Sequence, residues 1–181
     1  KNNHNKFLIL NQTEIENINF QRINTTKRRF KINYETNLDT ISSFKNDKNI
    51  LLVAIGTIPD KKVSEIHYLG TIANDEKMCL AYNAADVFVI ASLEDNLPNV
   101  MLESLLCGTP IVATPVGGML ETIQNGFNGY LAEDITAKAI YKALVLFFET
   151  QDNFDSEEIS SWAKERFSIK KQVKKVYREF C

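Results

Sequence analysis

The sequence predicts an α/β domain, a doubly wound parallel sheet with helices on both faces, and three observations predict it. Short β-rich apolar runs recur at 7–10, 50–55, 66–69, 86–91, 110–113 and 129–132. Each run is near-continuous rather than alternating, as strands covered on both faces are. Helical patterns fall between the runs, so the order along the chain reads strand, helix, strand.

The first run, Phe7-Leu8-Ile9-Leu10, follows a polar start, Lys1-Asn2-Asn3-His4-Asn5-Lys6, that lacks the character of a signal peptide. The chain is therefore expected to begin within a longer protein. The polar stretch 11–26 that follows reads as a long loop, a class usually functional or mobile. Phe30, Tyr34, Leu38, Ile41 and Phe44 recur at helical spacing and predict a helix. After the strands at 50–55 and 66–69, a helix is expected over 75–84, with Asp75 and Glu76 in its first turn.

The strand at 86–91 leads to a helix over 99–107 that ends at Gly108, a natural C′ residue. Gly108-Thr109-Pro110 turns back into a strand, and Thr114-Pro115-Val116-Gly117-Gly118 turns that strand into another helix, with Glu121 an exposed acid in its first turn. Beyond the last strand, helices are expected over 136–150, 155–166 and 168–180, the last capped by Ser168. The whole chain reads as one domain, 1–181, with a helical C-terminal region, 136–181, and neither an internal repeat nor a low-complexity segment.

Bulk properties narrow the partners. The 21 basic and 23 acidic side chains leave a net charge of −2, without the positive excess that nucleic acid requires. The longest apolar runs, Val87–Ala91 and Ala143–Phe148, fall far short of the roughly 20 residues that span a bilayer, so no transmembrane segment is expected. Cys79, Cys107 and Cys181 are an odd set without C-x-x-C spacing, and two of them sit in apolar runs as small hydrophobes. A reducing cytoplasmic setting fits them, with room for peripheral attachment to a membrane in the full-length protein.

In open parallel sheets ligands bind beyond the carboxyl ends of the strands, which directs attention to the segments after Leu69, Ser92 and Ala113. The dinucleotide fingerprint G-x-G-x-x-G and the phosphate loop G-x-x-x-x-G-K-[ST] are both absent, which argues against a nicotinamide enzyme and a P-loop NTPase. The first turn of the helix that begins at Asn99 would present free N–H groups suited to a diphosphate. Glu103 sits amid Val100, Met101, Leu102, Leu105, Leu106 and Cys107, where a largely buried carboxylate needs partners. Two adjacent sugar hydroxyls would satisfy it, and so would a snorkel to solvent or a local cation. Asp95 reads equally as a turn or capping residue and as a sugar contact, and Asn96 and Asn99 compete for the same capping role.

Taken together, Ala85-Asp86-Val87-Phe88-Val89-Ile90, Asp95-Asn96-Leu97-Pro98-Asn99, Leu102-Glu103-Ser104, Gly108-Thr109-Pro110 and Gly117-Gly118 resemble the second domain of family 4 (group 1) retaining glycosyltransferases. The resemblance implies a GT-B architecture of two Rossmann-like domains, the C-terminal one holding the donor and the N-terminal one, absent from this chain, holding a glycan or lipid-linked acceptor. It implies a hexosyltransferase-type enzyme whose isolated donor domain is inactive, in a polysaccharide pathway. The donor would be a UDP-, GDP- or ADP-sugar, with no required metal or other cofactor. The family's E-x7-E pair appears here as Asp95 and Glu103.

By that resemblance Glu103 would bind the ribose hydroxyls and Asp95 the donor sugar. Leu97 and the amides of Asn99 and Val100 would meet the donor near its diphosphate, and Thr71 and Ile72 would meet the base. Pro98 replaces a common Gly and supplies no N–H. Arg22 and Arg28 carry the family's spacing for the cations that neutralise the leaving diphosphate, with Lys27 and Arg29 flanking the second. The usual Lys-Gly has become Arg-Arg, and Arg still chelates phosphate oxygens bidentately. His4 and His67 are given no catalytic role. A degenerate binding module, a sugar-nucleotide epimerase of the same architecture and, on fold alone, a flavodoxin-like receiver domain remain competing readings.

Overall fold

The computed structural model describes residues 6–7, 28–32, 50–56, 58, 64 and 66–168. Its strands are β1 (Lys6–Phe7), β2 (Arg28–Ile32), β3 (Ile50–Ile55), β4 (Ile66–Gly70), β5 (Val87–Ile90), β6 (Ile111–Ala113) and β7 (Gly129–Leu131). Its helices are α1 (Asp75–Asn83), α2 (Asn99–Leu106), α3 (Met119–Thr122), α4 (Ala137–Thr150) and α5 (Ser156–Arg166), with a 3₁₀ turn at Gln151–Asn153. Beyond Ser168, the helix expected over 168–180 lies outside the described residues, as does the loop 11–26.

Side-chain caps set three of the helix starts. Asn74 accepts from the amide of Lys77 at 2.8 Å, Thr136 from Ala139 at 3.3 Å, and Asp155 from Glu157 at 2.8 Å and Glu158 at 3.0 Å. Helix α2 ends at Gly108, whose φ of +79° is the left-handed conformation of a C′ glycine. A Cβ there would stand 2.3 Å from the carbonyl oxygen of Ser156, so the end of α2 and the start of α5 touch backbone to backbone.

Across the sheet the strands run β4, β3, β2, β5, β6, β7. The ladders joining these six are all parallel, while β1 pairs antiparallel with β3 at Ala54 and Ile55. That two-residue strand lies beside a sheet whose other ladders are those of the expected doubly wound parallel fold. One correction is β2: Phe30 belongs to a strand paired on both sides, with Leu52 of β3 and Val87 of β5, not to a helix. Phe30 and Ile32 satisfy a period of two, and Phe30 with Tyr34 also satisfies a helical period, so pairing with two neighbouring strands decided the outcome. Tyr34, Leu38, Ile41 and Phe44 lie outside the described residues.

Strand β5 shows why its run is continuous. Val87 and Val89 pack into one core with Leu144, Phe147 and Phe148 of α4, while Phe88 and Ile90 pack into another with Met101 and Leu105 of α2 and Ile159 and Ala163 of α5. All four strand residues are fully buried. Each contributes roughly 1.5–3 kcal/mol by leaving water, which holds the strand between two helical layers.

The chain passes outward from β2 through β3 to β4, then returns to lay β5 on the other edge of β2. The strand order therefore reverses between β2 and β5, the position in an open α/β sheet at whose carboxyl end a ligand site is expected. The segment from Ser92 to Pro98 leaves β5 at that point.

Candidate functional site

Glu103 lies on helix α2, and Asp95 in the loop that joins β5 to it. Pro98 occupies its N-cap with no side-chain cap, so neither Asn96 nor Asn99 fills the capping role expected of them. Asn99 and Val100 are its first two residues, where backbone N–H groups lack intrahelical partners and point out of the helix. Asn99 is exposed and Val100 buried. Glu103, one turn in, is half-buried rather than largely buried.

Tyr82 supplies the partner that Glu103 was expected to need. Its hydroxyl donates to Glu103 Oε2 at 2.8 Å, and the carbonyl of Val100 stands 3.4 Å away. The Tyr82 ring is fully buried, edge to face with Phe88 at 5.6 Å. The Thr109 hydroxyl donates to the Tyr82 carbonyl at 2.7 Å. Burial, and after it the charge and hydrogen bond of Glu103, hold the Tyr82 phenol well above its ordinary pKa of 10.0. It is therefore a donor throughout the neutral range. The signal for Tyr82, absent from the expected site, was a tyrosine closing the apolar run Met78–Tyr82 of its helix, where a buried O–H requires a partner.

The glycine pair brings the loop after β6 against the loop after β5. Gly118 N–H donates to the Asn96 carbonyl at 2.6 Å. Gly117 has a φ of +49°, and a Cβ on it would lie 1.7 Å from the Asp95 carbonyl oxygen. Only glycine permits that approach. Asp95 is half-buried in the clasped loop and Leu97 is 48% exposed beside it. The root of the clasp is a hydrogen bond from the buried Thr114 hydroxyl to the Ser92 carbonyl at 2.6 Å. Ser92 Oγ, in a residue 1% exposed, has no hydrogen-bond partner.

Thr71 and Ile72 follow β4 at the same end of the sheet, Thr71 exposed and Ile72 packed against the core. Three strand spacings, about 14 Å, separate β4 from β5, so an elongated ligand is needed to bridge the two segments. Arg28 stands elsewhere. It opens β2 in register with Ile50, the first residue of β3, and about 16 Å of strand separates that level from the carboxyl end at Ile55. Arg22 and Lys27 lie outside the described residues. His67 is half-buried within β4, away from the clasped loops.

The described residues form a doubly wound α/β fold, with an acid-bearing helix and a glycine-clasped loop at the carboxyl end of β5. The chain belongs to the group 1 glycosyl transferases, whose family model matches residues 31–149. It is similar to an uncharacterized glycosyltransferase of Methanocaldococcus jannaschii, with 28% identity over 118 residues, 64% of this chain and 30% of that protein. It is also similar to the N,N'-diacetylbacillosaminyl-diphospho-undecaprenol alpha-1,3-N-acetylgalactosaminyltransferase of Campylobacter jejuni, with 33% identity over 86 residues, 48% of this chain and 22% of that protein.

Among solved structures, sucrose-phosphate synthase from Thermosynechococcus elongatus matches with a TM-score of 0.65 at 19% identity, over 78% of this chain and 41% of its own. Anabaena HepE in complex with UDP matches with a TM-score of 0.54 at 22% identity, over 64% of this chain and 33% of its own. The likeness to these structures is one of fold. The matched stretch spans less than half of each of these four proteins. No helix among the described residues is long and apolar enough to cross a membrane.

Proposed function

We propose that this domain holds a nucleoside-diphosphate sugar for retaining transfer of a hexosyl group to an acceptor bound mainly by a second domain. The observation that carries the reading is Glu103, half-buried, oriented by Tyr82, one turn inside a helix whose uncapped first turn meets a glycine-clasped loop at the switch point. In it, the Glu103 carboxylate accepts from two ribose hydroxyls, each bond strengthened by the charge. The amides of Asn99 and Val100 meet the diphosphate. Asp95 and Leu97 border the donor sugar, and the backbone at Thr71 and Ile72 meets the base.

Cleavage of the bond from the sugar to the diphosphate places charge on the leaving group, and helix amides with preorganised cations stabilise it without a metal. The proposal assigns those cations to Arg22 and Arg28, with Lys27 beside the second. Anabaena HepE, which shares the fold, has been solved in complex with UDP-glucose, and a UDP-sugar heads the candidates, before GDP- and ADP-sugars. The placing of the reaction in a cytoplasmic polysaccharide pathway, at the membrane periphery in the full-length protein, belongs to the same proposal.

Calorimetric titration of the chain with UDP, GDP and ADP tests the reading, repeated on Glu103→Ala, Arg22→Ala and Arg28→Ala. Saturable binding of one nucleotide is expected, lost in Glu103→Ala and weakened in both Arg22→Ala and Arg28→Ala. Binding that survives intact in a folded Glu103→Ala variant would sink the site assignment.

A further inference from the structure

The sulfur atoms of Cys79 and Cys107 lie 2.9 Å apart across 28 residues of sequence. The Cys107 thiol donates to the Cys79 sulfur, so the two sulfurs face each other directly. Both residues are half-buried thiols within reach of a small solute. Their backbones are held by different helices, Cys79 within α1 and Cys107 at the C-cap of α2. The hydrogen bond from Thr109 to the Tyr82 carbonyl keeps those helices in register.

We propose that Cys79 and Cys107 are a modification site that closes into a reversible intramolecular disulfide under a hydroperoxide. The Cys79 thiolate attacks the terminal peroxide oxygen, the O–O bond breaks, and the alcohol or water leaves as a sulfenic acid forms on Cys79. Cys107 Sγ then attacks that sulfur and displaces water. The two sulfurs lose two electrons between them, and the peroxide is reduced to an alcohol and water. Cys79 is the first to react because the Asn83 amide donates to its sulfur at 3.8 Å. Cys107, at the C-cap of α2, donates to the Cys79 sulfur and is placed to resolve the sulfenic acid.

The pair also has a defined place in the fold. Tyr82 lies one turn beyond Cys79 on α1, and Glu103 one turn before Cys107 on α2. The disulfide would be a second rung between the helices beside the Tyr82–Glu103 hydrogen bond. The inference rests on the sulfurs alone and stands whether or not Glu103 binds a ribose.

The test uses the chain with Cys181→Ser, so that only this pair remains to react. After treatment with hydrogen peroxide the expected product is a monomer lighter by two hydrogens, with both cysteines shielded from iodoacetamide and joined in one peptide. Dithiothreitol should restore both thiols. The oxidised protein should melt at a higher temperature than the reduced one, a difference absent when Cys79→Ser is added. If both thiols of the folded protein still alkylate after a treatment that fully oxidises glutathione, the proposal is overturned. It is equally overturned if the oxidised product is a cross-linked dimer or carries a sulfinic acid on one cysteine. Because this readout needs no variant at either position of the pair, it holds even if Cys79→Ser fails to fold.

Discussion

The hydroxyl of Tyr82 donates to Glu103 Oε2 across 2.8 Å, and through that bond a buried residue of α1 sets the direction of a half-buried carboxylate on α2. A carboxylate on a helix has several rotamers open to it, and a fixed donor selects among them.

Replacing Tyr82 with Phe keeps the ring against Phe88 and removes only the donor. Stability should fall by about 1–3 kcal/mol, the usual effect of taking one partner from a hydrogen bond to a charged group, measured as a lower urea midpoint. Under the proposed function, nucleotide affinity should drop while the preference for a ribo- over a 2′-deoxynucleotide shrinks. A variant that loses affinity with that preference unchanged would show Tyr82 to be a packing residue and no more.

The same tyrosine gives the protein an alkaline signature. Its folded pKa is raised by burial and by Glu103, whereas in the unfolded chain the proton leaves near pH 10. The stability this supplies is complete below about pH 10 and is lost as the pH climbs above it, by at most about 1.4 kcal/mol per pH unit. Urea unfolding followed through that range should fall more steeply for the wild-type chain than for Tyr82→Phe. Parallel slopes would mean that Tyr82 ionises as readily folded as unfolded.

Gly117→Ala tests the clasp. Its Cβ would meet the Asp95 carbonyl at 1.7 Å on a backbone with φ of +49°, so the loop must move or the variant unfold. A loss of about 2 kcal/mol or more is expected from strain of this kind, seen as a lower melting temperature together with weakened nucleotide binding. A variant with unchanged melting and binding would place the Asp95 loop somewhere other than against Gly117.

Ser92→Ala should behave in the opposite way. Ser92 Oγ is buried without a hydrogen-bond partner, and removing a buried hydroxyl in that condition is neutral or stabilising by about 1 kcal/mol. Differential scanning calorimetry decides it. A clear loss of stability would mean that the hydroxyl has a partner in solution.

Much of the fold was legible because local chemistry and tertiary context agree. The runs at 50–55, 86–91 and 110–113 became strands within a residue or so of their expected bounds, since a strand buried on both faces must be apolar throughout. The helices capped by Thr136 and Asp155 begin where their caps stand. Arg28–Ile32 was misread because a short segment holding Phe30 satisfies two periods at once, and only its place between β3 and β5 chooses. At the site, Glu103 and the glycine pair could be nominated from residue type and spacing, whereas Tyr82 could not be linked to Glu103 across 21 positions.

By itself the sequence determined the layer class, most of the element bounds, the acidic pair Asp95 and Glu103, and a family resemblance dense enough to identify, all properties of neighbouring residues. The tertiary structure decided the contacts between segments distant in the chain: Tyr82 on Glu103, Gly118 on Asn96, Cys79 beside Cys107, and Arg28 at the amino end of its sheet. The physical reason is that propensity, capping and periodicity act over a few residues, while strand register and helix docking are set by how the whole core closes.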